Sequence, residues 1–191
     1  MEGVVGVDLS LNRTGMCFVP AGWGGDLASL DYESVETKKI GESFGRPHVL
    51  SRNEIERWLT IANRVVKFIR RVGVSHVAVE RYAYSTVKNK RGVPVQSSSV
   101  TSLAEMGGTV KSQILLGCRI APVPLSSNTA RKRVVGTLKM GKKKQQVKEI
   151  LEKGGLVFPS LDEMDAFVVG YAWYCDLNTV VSALLPQQEL L

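Results

Sequence analysis

Short apolar runs separated by polar turns dominate the first part of the chain and predict strands. Residues 4–9 predict a first strand, residues 16–20 a second strand after a turn over residues 10–15, and residues 30–37 a third strand after a glycine-rich turn. Because the connections are short and rich in turn residues, we expect the three strands to pair as an antiparallel meander.

A helical repeat of apolar residues follows the meander. It predicts a helix that begins at Ser51, where Glu54 completes a capping box, and that ends near Gly73. Residues 76–80 then predict a short buried strand, and a helix between two strands implies that this strand joins the sheet in parallel. The apolar stripe expected to face the core consists of Ile55, Trp58, Leu59, Ala62, Val65, Val66 and Ile69.

The remaining patterns predict a loop, four helices and an edge strand. Polar and basic residues punctuated by Gly92 and Pro94 predict a long loop over residues 81–99, and weak periodicity after Asn178 predicts a frayed tail. We find no repeat and no second domain, so residues 1–191 are expected to form one domain. The other predicted elements are a helix over residues 101–116, an edge strand over residues 119–125, a helix from Thr129 capped by Asn128, and helices over residues 145–152 and 162–176.

The net charge of +7 is concentrated in two segments. Residues 119–148 hold nine basic residues and no acidic residue, and residues 81–91 hold four basic residues and no acidic residue. Such segments suit a polyphosphate partner whose binding weakens with salt, whereas a solvated face that keeps the protein soluble is the alternative. Together with a cluster of acids, the two basic segments favour nucleic acid.

Cysteine usage and hydropathy narrow the class of protein further. Cys17, Cys118 and Cys175 are isolated, so neither a zinc site nor a disulfide framework is expected, and a reducing compartment fits best. We see no apolar stretch long enough to span a membrane and no signal-type segment before the first strand. These features predict a cytoplasmic protein without a membrane partner.

Four acidic residues stand at the ends of apolar runs. Asp8 closes the first predicted strand and Glu80 closes the fourth, whereas Asp162 and Asp165 open the last predicted helix and project toward the same side of it. A carboxylate at the end of a buried strand is costly to desolvate unless it is paired or holds a metal. Several converging carboxylates suggest an oxygen-ligand site for Mg²⁺ or Mn²⁺. For Asp162 and Asp165 alone, a favourable interaction with the helix dipole is the alternative explanation.

The order and spacing of these motifs resemble the RuvC family of Holliday-junction resolvases, from residue 4 to about residue 173. The resemblance implies an α/β, ribonuclease H-like fold, in which a mixed five-stranded sheet (an antiparallel three-strand meander plus parallel strands) is flanked by helices. The segments that carry it are Gly6-Val7-Asp8-Leu9-Ser10 followed by Thr14-Gly15, Val77-Ala78-Val79-Glu80, Ala130-Arg131 with Val134-Val135-Gly136, Lys144-Gln145-Gln146-Val147, and Asp162-Glu163-Met164-Asp165-Ala166.

The resemblance implies a structure-selective DNA endonuclease that binds a four-way (Holliday) junction as a homodimer. It would nick two opposed strands symmetrically and leave 5′-phosphate and 3′-hydroxyl ends. Asp8, Glu80, Asp162 and Asp165 would be the catalytic acids and would hold two Mg²⁺ ions, for which Mn²⁺ could substitute. Two alternatives stay open: a ribonuclease H-like nuclease for flap or branched DNA or RNA–DNA hybrids, and a non-catalytic junction-binding protein.

The same resemblance assigns basic and aromatic residues to DNA binding. Arg131 and Lys144 match basic positions near the scissile phosphate, although a solvated basic face is the alternative for each cation. The family places a base-stacking aromatic three positions past the acid that Glu80 matches, whereas this chain has Tyr82 and Tyr84 two and four positions past it. The further residues expected to contact the DNA backbone are Lys88, Lys90, Arg91, Lys132, Arg133, Lys142 and Lys143.

Overall fold

The described part of the chain contains seven strands, and five of them form the central sheet. The computed structural model describes residues 3–10, 13–36, 50–81, 87–88, 94–95, 98–137 and 143–184. Within these residues the strands are β1 (Gly3–Asp8), β2 (Arg13–Pro20), β3 (Asp31–Glu36), β4 (His76–Arg81), β5 (Val87–Lys88), β6 (Pro94–Val95) and β7 (Val123–Ser126).

The central sheet has the strand order β3-β2-β1-β4-β7. β2 pairs antiparallel with both β1 and β3, whereas β4 pairs parallel with both β1 and β7. This confirms the predicted mixed sheet, an antiparallel three-strand meander extended by parallel strands. β5 and β6 pair with each other as a separate antiparallel ribbon.

Five α-helices within the described residues flank the sheet. None of them is long and apolar enough to cross a membrane, as far as the described part of the chain extends. The helices are α1 (Leu50–Val72), α2 (Ser98–Cys118), α3 (Ser127–Val135), α4 (Lys143–Lys153) and α5 (Leu161–Leu184).

Apolar layers cover both faces of the sheet. On one face α1 and α2 pack over Val5 and Val7 of β1, and on the other face α3, α4 and α5 pack over a second cluster that includes Cys17 and Ala78. Successive residues of a strand point to opposite faces, so Gly6 of β1 lies against α5. The central strand β1 is therefore buried on both faces.

Two boundaries in the first half differ from the prediction. β2 begins at Arg13 rather than at residue 16, because Gly15 pairs with Asp8 of β1 and extends the ladder. α1 begins at Leu50, so Ser51 lies inside the helix and not at its cap. Ile55 and Leu59, which were expected in the core, are exposed on the outer side of α1.

The second half brings further corrections. α3 begins at Ser127, because the Ser126 hydroxyl accepts a hydrogen bond from the Thr129 N–H and caps the helix, so Asn128 is not the cap. The predicted loop over residues 81–99 contains the short strands β5 and β6 and the start of α2. The last helix is longer than predicted and ends at Leu184.

Candidate active site

Asp8 lies at the end of the central strand and is buried. Its side chain is 5% exposed and makes a hydrogen bond with the Glu80 carboxyl group. Burial, this hydrogen bond and the negative charges of Glu80 and Asp165 raise the pKa of Asp8 well above its ordinary value. Burial, together with repulsion by the neighbouring carboxylates, therefore makes the ionised state of Asp8 unfavourable.

Glu80 reaches Asp8 because β1 and β4 are parallel neighbours. Val7 pairs with Val79 in this ladder, so the residues that follow them, Asp8 and Glu80, leave the same edge of the sheet. The carboxylate of Glu80 also accepts a hydrogen bond from the Ser127 hydroxyl at the start of α3. The sheet register thus brings together two acids that lie far apart in the sequence.

The first turn of α5 adds Asp162 and Asp165 to this edge. The backbone of α5 lies directly on the first two strands, at positions where glycine leaves room. A Cβ atom on Gly15 would lie 2.2 Å from the Asp162 carbonyl oxygen, and one on Gly6 would lie 2.0 Å from the Ala166 carbonyl oxygen. This close approach brings the carboxylates of the helix to the end of β1.

Two cations neutralise Asp165. Lys144 Nζ lies 2.7 Å from Oδ2 of Asp165 and 4.0 Å from Oδ1 of Asp162, while Arg131 Nη2 lies 3.2 Å from both Asp165 carboxylate oxygens. Burial lowers the pKa of Lys144, but the hydrogen bond to Asp165 and the charges of Asp165, Asp8 and Asp162 outweigh it and raise this pKa. Lys144 therefore stays charged among three of the acids.

Asp162 lies between Lys144 and a cation that the sequence did not point to, Arg13. Nε of Arg13 lies 3.9 Å from Oδ2 of Asp162, and the guanidinium is held by hydrogen bonds of 2.8 and 3.0 Å to the Ser34 hydroxyl. Burial and the charges of neighbouring acids raise the pKa of Asp162 despite both cations. We found no signal for Arg13 in the sequence, since one arginine in a polar turn is ordinary.

The donor chemistry of the site fits a divalent cation. The carboxylates of Asp8 and Glu80 offer hard oxygen ligands, and their negative charges repel each other. The neighbouring acids also raise the pKa of Lys144, so they favour positive charge at this place. Among the described residues, however, no three acidic, histidine or cysteine side chains are arranged to hold one ion. Asp165 is paired with Lys144 and Arg131. Asp8 and Glu80 form the pair that would hold a metal, and Asp162 and Asp165 are the further candidate ligands.

The predicted DNA-binding residues of α3 and α4 occupy different environments. Arg131 and Lys144 lie in the acidic site, Arg133 pairs with Asp176 at 2.7 Å, and the side chain of Lys132 is exposed. Lys143 Nζ donates a hydrogen bond of 3.3 Å to Asn128. A cavity of about 240 Å³ beside the acids is lined by Asn128, Arg131, Lys132, Gly136, Thr137 and Lys143.

Of the loop residues predicted to contact DNA, the structure describes Lys88 alone. Lys88 belongs to β5, where its backbone pairs with Pro94. Tyr82, Tyr84, Lys90, Arg91 and Lys142 lie outside the described residues.

Comparison with solved structures identifies the fold. RuvC of Thermus thermophilus in complex with a Holliday junction substrate matches with a TM-score of 0.60 and 16% sequence identity, over 94% of this chain and 98% of that chain. Another Thermus thermophilus RuvC structure matches with a TM-score of 0.60 and 19% identity, over 93% of this chain and 97% of that chain. No protein-family model and no curated protein matches the sequence. The resemblance to RuvC that the motifs predicted is thus confirmed at the level of the fold, a RuvC-type ribonuclease H-like sheet.

Proposed function

We propose that the chain is a metal-dependent endonuclease that resolves four-way DNA junctions. The observation that carries the proposal is the Asp8–Glu80 pair at the end of the two central parallel strands, with Asp162 and Asp165 beside it. The RuvC fold supports the choice of substrate, because a structure of that fold was solved with a Holliday junction.

In this proposal Asp8 and Glu80 would hold Mg²⁺ or Mn²⁺, and Asp162 and Asp165 would complete the sites of two ions. A bound ion supplies an activated water molecule and stabilises charge on the phosphate during hydrolysis. The reaction breaks the bond between phosphorus and the 3′ oxygen, so it leaves a 5′-phosphate and a 3′-hydroxyl end.

Lys144 and Arg131 allow an anionic substrate to approach an acidic site. A phosphodiester would be repelled by the four carboxylates, but these two cations lie within 3.2 Å of Asp165 and can turn their remaining donors toward phosphate oxygens. Arg131 has a buried Nε atom without a hydrogen-bond partner among the described residues. That unused donor is consistent with a ligand contact at this guanidinium.

The cavity beside the acids supplies a surface for the DNA backbone. Arg131, Lys132 and Lys143 line it together with the polar side chains of Asn128 and Thr137. Contacts of this type position a duplex arm without reading its sequence. We therefore propose that junction selectivity comes from the placement of the arms.

Symmetric cutting of two opposed strands requires two active sites related by a two-fold axis. We propose a homodimer in which the outer surfaces of α1 and α2 contribute to the interface. These surfaces carry apolar side chains that the monomer leaves exposed, namely Ile55, Leu59, Leu115 and Leu116.

The experiment that tests this function is cleavage of a labelled four-way junction beside linear duplex, a flap and an RNA–DNA hybrid. Each substrate is incubated with wild type or with Glu80→Gln in Mg²⁺, Mn²⁺ or EDTA. We expect paired symmetric nicks in the junction that disappear in EDTA and in Glu80→Gln. Stronger cutting of the flap or hybrid would assign a different nuclease class, and tight junction binding without cutting under either metal would assign a binding protein.

A further inference from the structure

We infer that Ser127 is a positioning residue that fixes the Glu80 carboxylate for metal binding. This inference rests on the proposed metal-dependent function. It adds to the site a residue that the motifs did not indicate, since serine in a basic, polar segment carries no chemical signature of its own. The contact behind it is the hydrogen bond that the Ser127 hydroxyl donates to Oε1 of Glu80.

The sheet register explains how Ser127 reaches Glu80. β7 pairs parallel with β4, so that Glu80 lies opposite Leu125 and Arg81 lies opposite Ser126. The chain passes from β7 into α3 without an intervening loop, and Ser127 is the first residue of the helix. Its position is therefore set by the ladder itself, and the hydroxyl is aimed at the acid of the neighbouring strand.

The hydroxyl of Ser127 is not needed to cap the helix. The adjacent Ser126 performs that role, because its Oγ accepts a hydrogen bond of 3.1 Å from the Thr129 N–H and lies 2.7 Å from the Thr129 hydroxyl. Serine has a single hydroxyl proton, and Ser127 donates it to the Glu80 carboxylate. An ionised carboxylate has no proton to donate, so it can only accept hydrogen bonds. The two neighbouring serines thus have separate functions.

A second contact from the same face of α3 supports the assignment. Arg131 follows Ser127 by one helical turn, and its guanidinium binds Asp165. α3 therefore binds Glu80 of the sheet through Ser127 and Asp165 of α5 through Arg131. Glu80 has three side-chain torsions, and without the Ser127 hydroxyl its carboxylate would be restrained mainly by Asp8, a group that repels it when both are ionised.

The test compares Ser127→Ala with wild type in the full-length protein, first without DNA. Mn²⁺ affinity is measured by electron paramagnetic resonance and by calorimetry. Loss of a residue that orients a metal ligand typically weakens metal affinity about 10- to 100-fold, and we expect a weakening in that range. Junction cleavage is then followed as a function of Mn²⁺ concentration, and the Mn²⁺ requirement should rise while the KM for the junction stays unchanged.

Two variants distinguish a role of Ser127 in positioning Glu80 from an effect of Ser127 on folding. Ser126→Ala removes the helix cap but leaves the Ser127 hydroxyl, so it should lower the melting temperature and keep the Mn²⁺ affinity of wild type. Ser127→Thr keeps a hydroxyl at the same position and should restore most of the Mn²⁺ affinity. Equal Mn²⁺ affinity in Ser127→Ala and wild type would overturn the inference, as would an equal loss in Ser126→Ala or a wild type that binds no Mn²⁺.

The same experiment distinguishes failure of the inference from failure of the proposed function. A wild type that binds Mn²⁺ but leaves every junction intact would refute junction resolution, while the binding measurements on Ser127→Ala would still decide the role of Ser127. Conversely, normal junction cutting with unaltered Mn²⁺ affinity in Ser127→Ala would refute only the positioning role.

Discussion

Asp8 shows at the scale of one residue how a proposed catalytic group opposes stability. Burial and the nearby acids Glu80 and Asp165 raise its pKa. A carboxyl group whose pKa is higher in the folded than in the unfolded protein favours folding at low pH. That contribution is fully present below the ordinary pKa, about 4, and is lost as the pH rises toward the raised value.

We therefore predict that Asp8→Asn is more stable than wild type at neutral pH in EDTA, although it cannot cut DNA. Between the unfolded and folded pKa values of Asp8, the stability of wild type should fall relative to Asp8→Asn by about 1.4 kcal/mol per pH unit. Urea unfolding of both proteins from pH 4 to pH 8 measures this difference. Glu152→Gln, which removes an exposed partner of Lys148, serves as the control and should follow wild type at every pH. Parallel stability curves for Asp8→Asn and wild type would contradict the prediction.

Single residues differ in how far the sequence reveals them. Asp8 and Glu80 could be singled out because a charged residue that ends an apolar run is costly and therefore conspicuous. Arg13 and Ser127 could not be singled out, because their contacts depend on which strands become neighbours and in which register. An arginine in a predicted turn and a serine at the start of a helix are common, and only the assembled sheet brings them to the acids.

At the scale of elements, the contact of α5 with the first two strands depends on glycine. Gly6 and Gly15 leave no side chain between the strands and the helix backbone, so the first turn of α5 can approach the end of β1. The polar pattern of residues 10–15 predicted that Gly15 lies in a turn. β2 nevertheless continues through it, because the packing of α5 outweighs the low strand propensity of glycine.

We predict that Gly15→Ala destabilises the protein and impairs the site. The new methyl group would meet the Asp162 backbone, and overpacking of this kind costs about 1–3 kcal/mol. Because the helix must shift away from β2, cleavage should fall more than the loss of folded protein explains. Urea unfolding and single-turnover cleavage measure the two effects. The control is Gly24→Ala, where a Cβ atom meets nothing within 4 Å, and comparable losses in both variants would argue against the packing explanation.

At the scale of the whole molecule, the excess positive charge separates into paired and unpaired cations. Arg133 pairs with Asp176 and Lys148 with Glu152, so these residues contribute less to an anionic partner. Lys132 is exposed beside the cavity and makes no ion pair within the described part of the chain. The sequence predicted the basic segment but could not show which of its cations form ion pairs, because the pairing depends on which acids the fold brings near.

We predict that Lys132→Ala lowers the dependence of junction binding on salt. Loss of one phosphate contact reduces the slope of log K against log salt concentration by about 1. Fluorescence anisotropy with a labelled junction in EDTA, from low to moderate salt, measures this slope. Arg133→Ala is the matched control, and it should lower stability through the loss of the Asp176 pair while it leaves the slope nearly unchanged. The prediction fails if the two variants alter the slope equally.

A second prediction at this scale concerns assembly. Leu116 is 68% exposed on α2, and in Leu116→Glu we expect a buried charge to separate the proposed dimer into monomers. Sedimentation velocity measures the mass, and junction assays should show single nicks in place of paired ones. Val157→Glu introduces the same charge at an apolar residue that is exposed outside α1 and α2, and it should leave the mass unchanged. A wild type that sediments as a monomer at all concentrations would disprove the proposed interface.

The order of the elements along the chain has a consequence for biosynthesis. A ribosome-bound chain that has released only β1 to β4 already contains Asp8 and Glu80, but it lacks α5 with Asp162 and Asp165. The sheet face around Cys17 and Ala78 also stays uncovered until α5 emerges, so the nascent chain exposes apolar surface that favours aggregation. Completion of the acid cluster and protection of the sheet therefore coincide, and the proposed nuclease becomes able to cut DNA only when its last described helix docks.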